Sequence, residues 1–178
     1  MRKMYYIDTN IVLSYNFTTE ETHLRAFNLI RKIKKSTDEF YISPLTILEL
    51  YCVVSRNINK YTLPPIALIL FRSDKDKVEY IIKYSIQRLN LKICQEINTN
   101  SELENLNIEI FSEYQCAIKL SPRIKLRSLD MLHIAYAFRL RKEGKIKYIV
   151  SLDKEIRERK LLIKNITDIN LISRVYNP

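Results

Sequence analysis

Short apolar stretches of strand length alternate along this chain with longer stretches in which apolar residues recur at helical spacing. The strand-like stretches include residues 4–7, 40–43 and 147–152. The clearest helical pattern covers residues 129–140, and Gly144 follows it where helices commonly end. Such alternation is typical of an α/β domain built on a mostly parallel sheet. We therefore predict a three-layer α/β/α sandwich with a central, twisted and mostly parallel sheet.

Capping residues set several of the remaining boundaries. Ser43 followed by Pro44 marks a helix start, because Ser accepts hydrogen bonds at the cap and Pro suits the first turn. Ser101 and Ser128 are predicted to cap helices in the same way, the first of them running through Ala117. The other predictions are helices over residues 24–33, 78–89 and 153–159 and strands within residues 91–97 and 161–166.

The length of 178 residues suits one domain with a substantial core, so we predict a single domain over residues 1–178. Its least regular stretch, residues 57–77, contains Pro64 and Pro65. We predict that this stretch is an insertion that elaborates the domain.

The composition excludes several classes of site. The chain has a single glycine, two histidines, and three cysteines without a CxxC pair. Phosphate-binding loops that need closely spaced glycines are therefore excluded, as are HExxH sites and zinc ribbons. The chemistry must come from carboxylates, hydroxyls, amides and cations.

The charge favours a polyanionic partner. Lys and Arg number 30 against 20 Asp and Glu, a formal net charge of +10, which indicates nucleic acid before a membrane surface. The longest apolar run, about residues 66–71, is far shorter than the ~20 residues of a membrane span. The first residues lead directly into a strand-like stretch, and the separated cysteines suit a reducing compartment, so we expect a cytoplasmic protein without a membrane segment.

Four acids differ from the others because each lies beside an apolar strand or stripe: Asp8, Glu49, Asp130 and Asp153. Asp8 and Asp153 follow predicted strands at their carboxyl ends, the edge where parallel sheets form ligand crevices. Glu49 and Asp130 lie on helices expected to flank that crevice. Oxygen ligands without His or Cys are what Mg²⁺ or Mn²⁺ prefers.

Each acid also has a purely structural explanation. Asp8 and Asp153 stand where Asp is a preferred helix N-cap, and Asp130 lies in a first turn, where negative charge suits the helix dipole. Glu49 is in the middle of a helix, where a salt bridge would account for it. These explanations account poorly for the four acids together.

The same acids stand in motifs that resemble those of PIN-domain ribonucleases, VapC-like toxins of prokaryotic toxin–antitoxin pairs among them. A strand ending in Asp-Thr-Asn is here YIDTN at residues 6–10, and a Ser before a helical Glu is SPLTILE at residues 43–49. An Asp opening an Ala-containing helix is LDMLHIAYA at residues 129–137, and Thr-x-Asp after a strand is SLD at residues 151–153, with Ser for Thr. The second and third motifs are farther apart than in compact toxins, and a helical elaboration is predicted between them.

The resemblance implies a PIN-like fold and hydrolysis of RNA phosphodiester bonds with Mg²⁺ or Mn²⁺. Asp8, Asp130 and Asp153 would be direct or water-mediated metal ligands, and Glu49 a further ligand or the base that orients the water. Two more residues, Asn10 and Ser151, would orient the carboxylates. An Asx turn explains Asn10 equally well, and an ordinary strand-end hydroxyl explains Ser151 better than a functional role does.

The residues that precede the Asp130 helix are basic. Arg123, Lys125 and Arg127 are therefore predicted to contact the RNA backbone. His133 follows Asp130 by three residues, but a lone His among apolar neighbours is more often packed, so it is assigned no catalytic role. The resemblance implies RNA, an antitoxin protein and a second copy of the chain as partners.

Other functions remain open on the sequence alone. A non-catalytic PIN scaffold that binds or helps process RNA is the main alternative, although such members usually lose acids. A haloacid-type phosphatase would need Asp-x-Asp, and residue 10 is Asn. A receiver domain would need paired acids near the end of its first strand, and these are absent. A DNA-directed nuclease is a further alternative.

Overall fold

Five parallel strands form the central sheet of this computed structural model, which describes residues 2–61, 71, 73–94, 100–103 and 108–174. The described residues contain seven strands: β1 (Met4–Ile7), β2 (Glu39–Ile42), β3 (Leu91–Ile93), β4 (Asn100–Leu103), β5 (Ile108–Phe111), β6 (Tyr148–Val150) and β7 (Asn170–Ile172). The sheet has the order β3-β2-β1-β6-β7, and every neighbouring pair in it is parallel. The remaining two strands, β4 and β5, form a separate antiparallel hairpin.

Helices connect the strands of the sheet. They are α1 (Thr9–Asn16), α2 (His23–Ile33), α3 (Pro44–Arg56), α4 (Asp74–Leu89), α5 (Ser112–Ile124), α6 (Ser128–Lys142), α7 (Lys154–Glu158) and α8 (Lys160–Thr167), with a 3₁₀ turn at Ile58–Lys60. The cap predicted at Ser43 is present, because its hydroxyl accepts a hydrogen bond from the backbone N–H of Thr46. No helix in the described part of the chain could cross a membrane.

Successive side chains of β1 belong to two different hydrophobic cores. Tyr5 and Ile7 belong to a cluster that contains residues of α1, α2 and α4, whereas Tyr6 belongs to a cluster built mainly from α5, α6 and α8. Because successive strand side chains point to opposite faces, the two clusters lie on the two faces of the sheet. This arrangement confirms the three-layer α/β/α fold.

Three predicted boundaries are wrong. The helix predicted from Ser101 is the β4–β5 hairpin followed by α5, because Ile108 and Ile110 alternate with Glu109 at the strand period. The strand predicted within residues 161–166 is α8, in which Leu161 is exposed and Ile163 buried, and the last strand is β7. The cap predicted at Ser128 is the first residue of α6 instead.

The remaining predictions concern the middle of the chain. The strand predicted within residues 91–97 is observed as β3, and residues 95–99 lie outside the described residues. Of the predicted insertion at residues 57–77, the structure describes the 3₁₀ turn and the start of α4, while residues 62–70 and 72 lie outside the described residues. The insertion and the single-domain boundary therefore stay predictions.

Candidate active site

The four predicted acids converge at the carboxyl edge of the sheet. Asp8 directly follows β1, and Asp153 lies just beyond β6, the neighbour of β1. Glu49 lies in α3, which follows β2 on the other side of β1, and Asp130 lies in the first turn of α6. Two cavities join them: one of about 880 Å³ is lined by Asp8, Glu49 and Asp130, and one of about 500 Å³ by Glu49, Asp130 and Asp153.

Hydrogen bonds fix the orientation of Asp8. Its Oδ2 accepts from Asn10 Nδ2 at 2.7 Å and from Ser151 Oγ at 2.5 Å. Asn10 is held in turn, because its Oδ1 accepts from the backbone N–H of Leu152 at 3.2 Å. Ser151 Oγ also accepts from the backbone N–H of Asp153 at 3.0 Å. The two residues predicted to orient the carboxylates therefore lie against Asp8 and join the ends of β1 and β6.

The acids raise one another's pKa. Burial raises the pKa of Asp8, and Glu49 and Asp153 raise it further, while His133 and the hydrogen bond from Ser151 act in the opposite direction. Burial, with the charges of Asp153 and Asp8, raises the pKa of Asp130 to about 6 despite opposing effects of Arg127 and His133. Negative charge at this site is therefore only partly compensated by the protein.

Glu49 has cationic and hydroxyl partners. Its Oε2 lies 2.8 Å from His133 Nε2 and accepts a hydrogen bond from Thr9 Oγ1. Burial raises the pKa of Glu49, but the interactions with His133 and Thr9 outweigh it, so the pKa is lowered overall. Asp153 uses its Oδ1 as the N-cap of α7, accepting from the backbone N–H of Ile156 at 3.0 Å. This confirms the structural explanation of Asp153 without excluding a functional one.

His133 is a packed residue, as the sequence predicts, but it also belongs to the acid cluster. Its side chain is 1% exposed, and its Nδ1 lies 2.7 Å from the Tyr6 hydroxyl, which donates to Ser43 Oγ. Burial lowers the pKa of His133, but the hydrogen bond to Glu49 and the charges of Asp8, Glu49 and Asp130 raise it overall. In the sequence, only the three-residue spacing from Asp130 indicates that His133 lies near the acid cluster.

Sequence reasoning also missed Thr9. Its hydroxyl contacts Glu49, and the residue is 6% exposed although it stands in the first turn of α1. The motif at residues 6–10 contains Thr9, but nothing in the sequence indicates which distant carboxylate it would meet.

The residues present fit a hydrated divalent cation better than a fully protein-enclosed one. Within the described residues, no group of three or more His, Cys, Asp and Glu side chains forms a ready-made metal cage. Mg²⁺ usually keeps several waters and takes only one or two protein carboxylates. Asp8 and Asp130 supply carboxylates whose charge is incompletely balanced, and Asp153 lies beside them.

The three predicted RNA-contacting cations differ in position. Arg127 lines the smaller cavity, where its guanidinium lies 3.8 Å from Asp130 and forms two hydrogen bonds to Glu155, at 2.7 and 3.1 Å. Arg123 and Lys125 are exposed, but neither lines either of the two cavities at the acids. Their contact with RNA stays a prediction.

The protein is an α/β domain with a parallel five-stranded sheet and an acidic crevice at the carboxyl edge of that sheet, where such domains bind their ligands. The family model of the PIN domain matches residues 5–161, and the chain belongs to the PIN-domain family. PIN domains are generally nucleases, and they usually use divalent metals.

Solved structures that share the fold include two that cover most of this chain. VapBC2 from Rickettsia felis, bound to a DNA fragment from its promoter, has a TM-score of 0.54 and 14% identity, over 97% of this chain and 99% of that chain. Mycobacterium tuberculosis VapC20, a Sarcin-Ricin loop cleaving toxin, has a TM-score of 0.54 and 11% identity, over 86% of this chain and 93% of that chain. A comparison with curated proteins gives no match.

Proposed function

We propose that this protein is an endoribonuclease that hydrolyses RNA phosphodiester bonds with Mg²⁺ or Mn²⁺. The observation that carries the proposal is the convergence of Asp8, Glu49, Asp130 and Asp153 from four separate elements, with the pKa of Asp130 raised to about 6. Membership of the PIN family supports nuclease activity, and the basic composition supports a nucleic-acid substrate.

Asp8, Asp130 and Asp153 are the residues that would hold the cation. A bound divalent cation supplies an acidified water and neutralises charge that develops on the phosphate oxygens. Asn10 and Ser151 hold Asp8 Oδ2, which leaves Oδ1 on the side of the acid cluster, 3.7 Å from His133 Nε2. Because its pKa is lowered, Glu49 is ionised at neutral pH and serves as a further ligand or as an acceptor that orients the attacking water.

An antitoxin protein is the partner that we propose for this chain. Three apolar side chains beside the acids are exposed: Leu48 by 60%, Leu129 by 49% and Tyr51 by 39%, and all three line the larger cavity. Exposed apolar patches of this kind mark interaction surfaces. The similarity to VapBC2 and to the toxin VapC20 supports a toxin role. We propose that the protein acts in the cytoplasm. A homodimer is also part of this proposal.

The substrate test separates the proposal from its alternatives. We expect purified protein with Mg²⁺ or Mn²⁺ to cut a labelled single-stranded RNA and to leave a single-stranded DNA of the same sequence intact. Gel analysis of both substrates gives the result. RNA binding without cleavage would favour the non-catalytic scaffold, and cleavage of the DNA would favour a DNA-directed nuclease.

His133 is expected to position Glu49. His133→Leu removes the partner that holds the half-buried Glu49 carboxylate ionised, so the pKa of Glu49 should rise and cleavage should fall roughly 10–100-fold. His133→Gln keeps an amide donor, so its cleavage rate should fall less. The pH–rate profile checks the cause: in the Leu variant the acid limb should move to higher pH, and an unmoved limb would contradict a positioning role.

A further inference from the structure

A third cavity, of about 860 Å³, lies beside α2 and is lined mainly by cations. We call it the basic cavity; its charged lining residues are Arg25, Arg31, Lys32, Arg157 and Arg174. Its described lining contains no acid. Five cations around one cavity repel one another, and a bound anion would offset this repulsion.

Most of these cations have no ion-pair partner within the described residues. Arg25, Arg31, Arg157 and Arg174 form no salt bridge there, whereas Arg127 and other arginines of the chain pair with acids. Arg157 adds an independent sign, because its Nε is buried and has no hydrogen-bond partner in the described part of the protein. A buried donor without a partner is unfavourable by about 1–3 kcal/mol, and an anionic ligand would relieve this.

The basic cavity and the acid cluster share one edge of the sheet. Leu152 lines the basic cavity, while its neighbours in the chain, Ser151 and Asp153, face the acids. Residues 151–153 therefore contribute to both sites, Leu152 to the basic cavity and its two neighbours to the acid cluster. Arg157 lies one helical turn beyond Asp153, and Arg174 follows β7, the neighbour of β6.

We propose that the basic cavity binds the phosphate backbone of the RNA strand next to the bond that is cleaved. This proposal rests on the proposed ribonuclease function. The acids that hold the metal repel the phosphates on either side of the cleaved bond, whereas the basic cavity offers four arginines that form no salt bridge within the described residues. Arg127 is less suited, because Glu155 already compensates its charge. Backbone contacts of this type position a strand without reading its sequence.

The test measures RNA binding in EDTA, where cleavage is not required. The probe is a labelled 12-nucleotide oligouridylate, and its affinity for the protein is followed by fluorescence anisotropy over a series of salt concentrations. Three sets of substitutions are compared, each removing three charges: Arg25→Gln, Arg157→Gln and Arg174→Gln; Arg123→Gln, Lys125→Gln and Arg127→Gln; and the exposed controls Lys75→Gln, Lys83→Gln and Lys119→Gln.

We expect the basic-cavity set to weaken binding roughly tenfold and to lower the salt slope by about 2, since each single-strand phosphate contact contributes about 0.7. The control set should have a much smaller effect. Equal affinity and slope in the basic-cavity and control sets would overturn the proposal. The double variant Arg25→Gln with Arg174→Gln changes only exposed residues, so it gives the same answer if the triple variant fails to fold.

The same experiment distinguishes this proposal from the ribonuclease assignment. Wild-type protein that binds the probe through the basic cavity but cuts no RNA with metal would remove the ribonuclease function and keep the binding site. Protein that cuts RNA while the basic-cavity set binds and cuts normally would keep the function and remove the site.

Discussion

Asp8→Asn is expected to slow RNA cleavage by about a thousandfold or more while the protein stays folded. Several kilocalories per mole of charge stabilisation by a metal correspond to a rate factor of this size. The Asn carbonyl can still accept the hydrogen bonds that Ser151 and Asn10 donate to Asp8 Oδ2, so the ends of β1 and β6 remain joined. What the substitution removes is the negative charge beside the metal.

Single-turnover cleavage of labelled RNA and a thermal melt measure the two parts of this expectation. Asp74→Asn is a matched control, because Asp74 is an exposed acid that pairs with Lys77 on its own helix. The control should cut RNA at the wild-type rate. A wild-type rate in Asp8→Asn, or loss of activity explained by unfolding, would contradict the assignment of Asp8.

Asp130→Asn is expected to stabilise the metal-free protein at neutral pH. The pKa of Asp130 is about 6 in the folded protein, above the usual 3.8, so the folded state favours the protonated acid. The ionised carboxylate of Asp130 therefore destabilises the folded protein. This destabilisation is absent below about pH 4, grows as the pH rises towards 6, and persists above it. Asn carries no charge, so the variant lacks this destabilisation. A shift of this size corresponds to at most about 3 kcal/mol. Because the side chain is 21% exposed, we expect a gain of about 1 kcal/mol, or about 2–4 °C in Tm.

Thermal melts in EDTA at pH 4.5 and pH 7.5 check the sign. The variant should melt above the wild type at pH 7.5, and the difference should shrink at pH 4.5. Mg²⁺ should then raise the Tm of the wild type more than that of the variant, because the wild type keeps the carboxylate that binds it. The exposed Glu158→Gln serves as the control and should change neither melt. A variant less stable than the wild type at pH 7.5 in EDTA would contradict this explanation.

The sequence sufficed for four of the five strands of the sheet, all but β7, and for the meeting of the acids. Strand-like stretches that end in Asp8 and at residues 151–153 predict where parallel strands terminate, and the carboxyl ends of neighbouring parallel strands meet at one edge. The convergence with Glu49 and Asp130 then required only that their helices follow or flank those strands.

Local ambiguity and long-range contacts explain what was missed. Apolar residues at 108–111 suit a strand and a helix alike at short range, so the β4–β5 hairpin was not foreseen. The contacts of Glu49 with His133 and Thr9 join residues 84 and 40 positions apart, and no local pattern reports them. The basic cavity likewise joins α2 to residues near 157 and 174, whereas the cations of α2 alone resemble a solvated helix end.

Removal and restoration of the metal in one cleavage reaction test the ribonuclease function most directly. Wild-type protein is dialysed against EDTA, mixed with labelled single-stranded RNA, and then titrated with Mg²⁺ or Mn²⁺ beside Asp8→Asn and Asp130→Asn. A metal-dependent ribonuclease built on these acids gives no product in EDTA, recovers cleavage in the wild type as the metal exceeds the chelator, and stays inactive in both variants. Cleavage that persists in EDTA at the same rate, or that both variants retain, would contradict it.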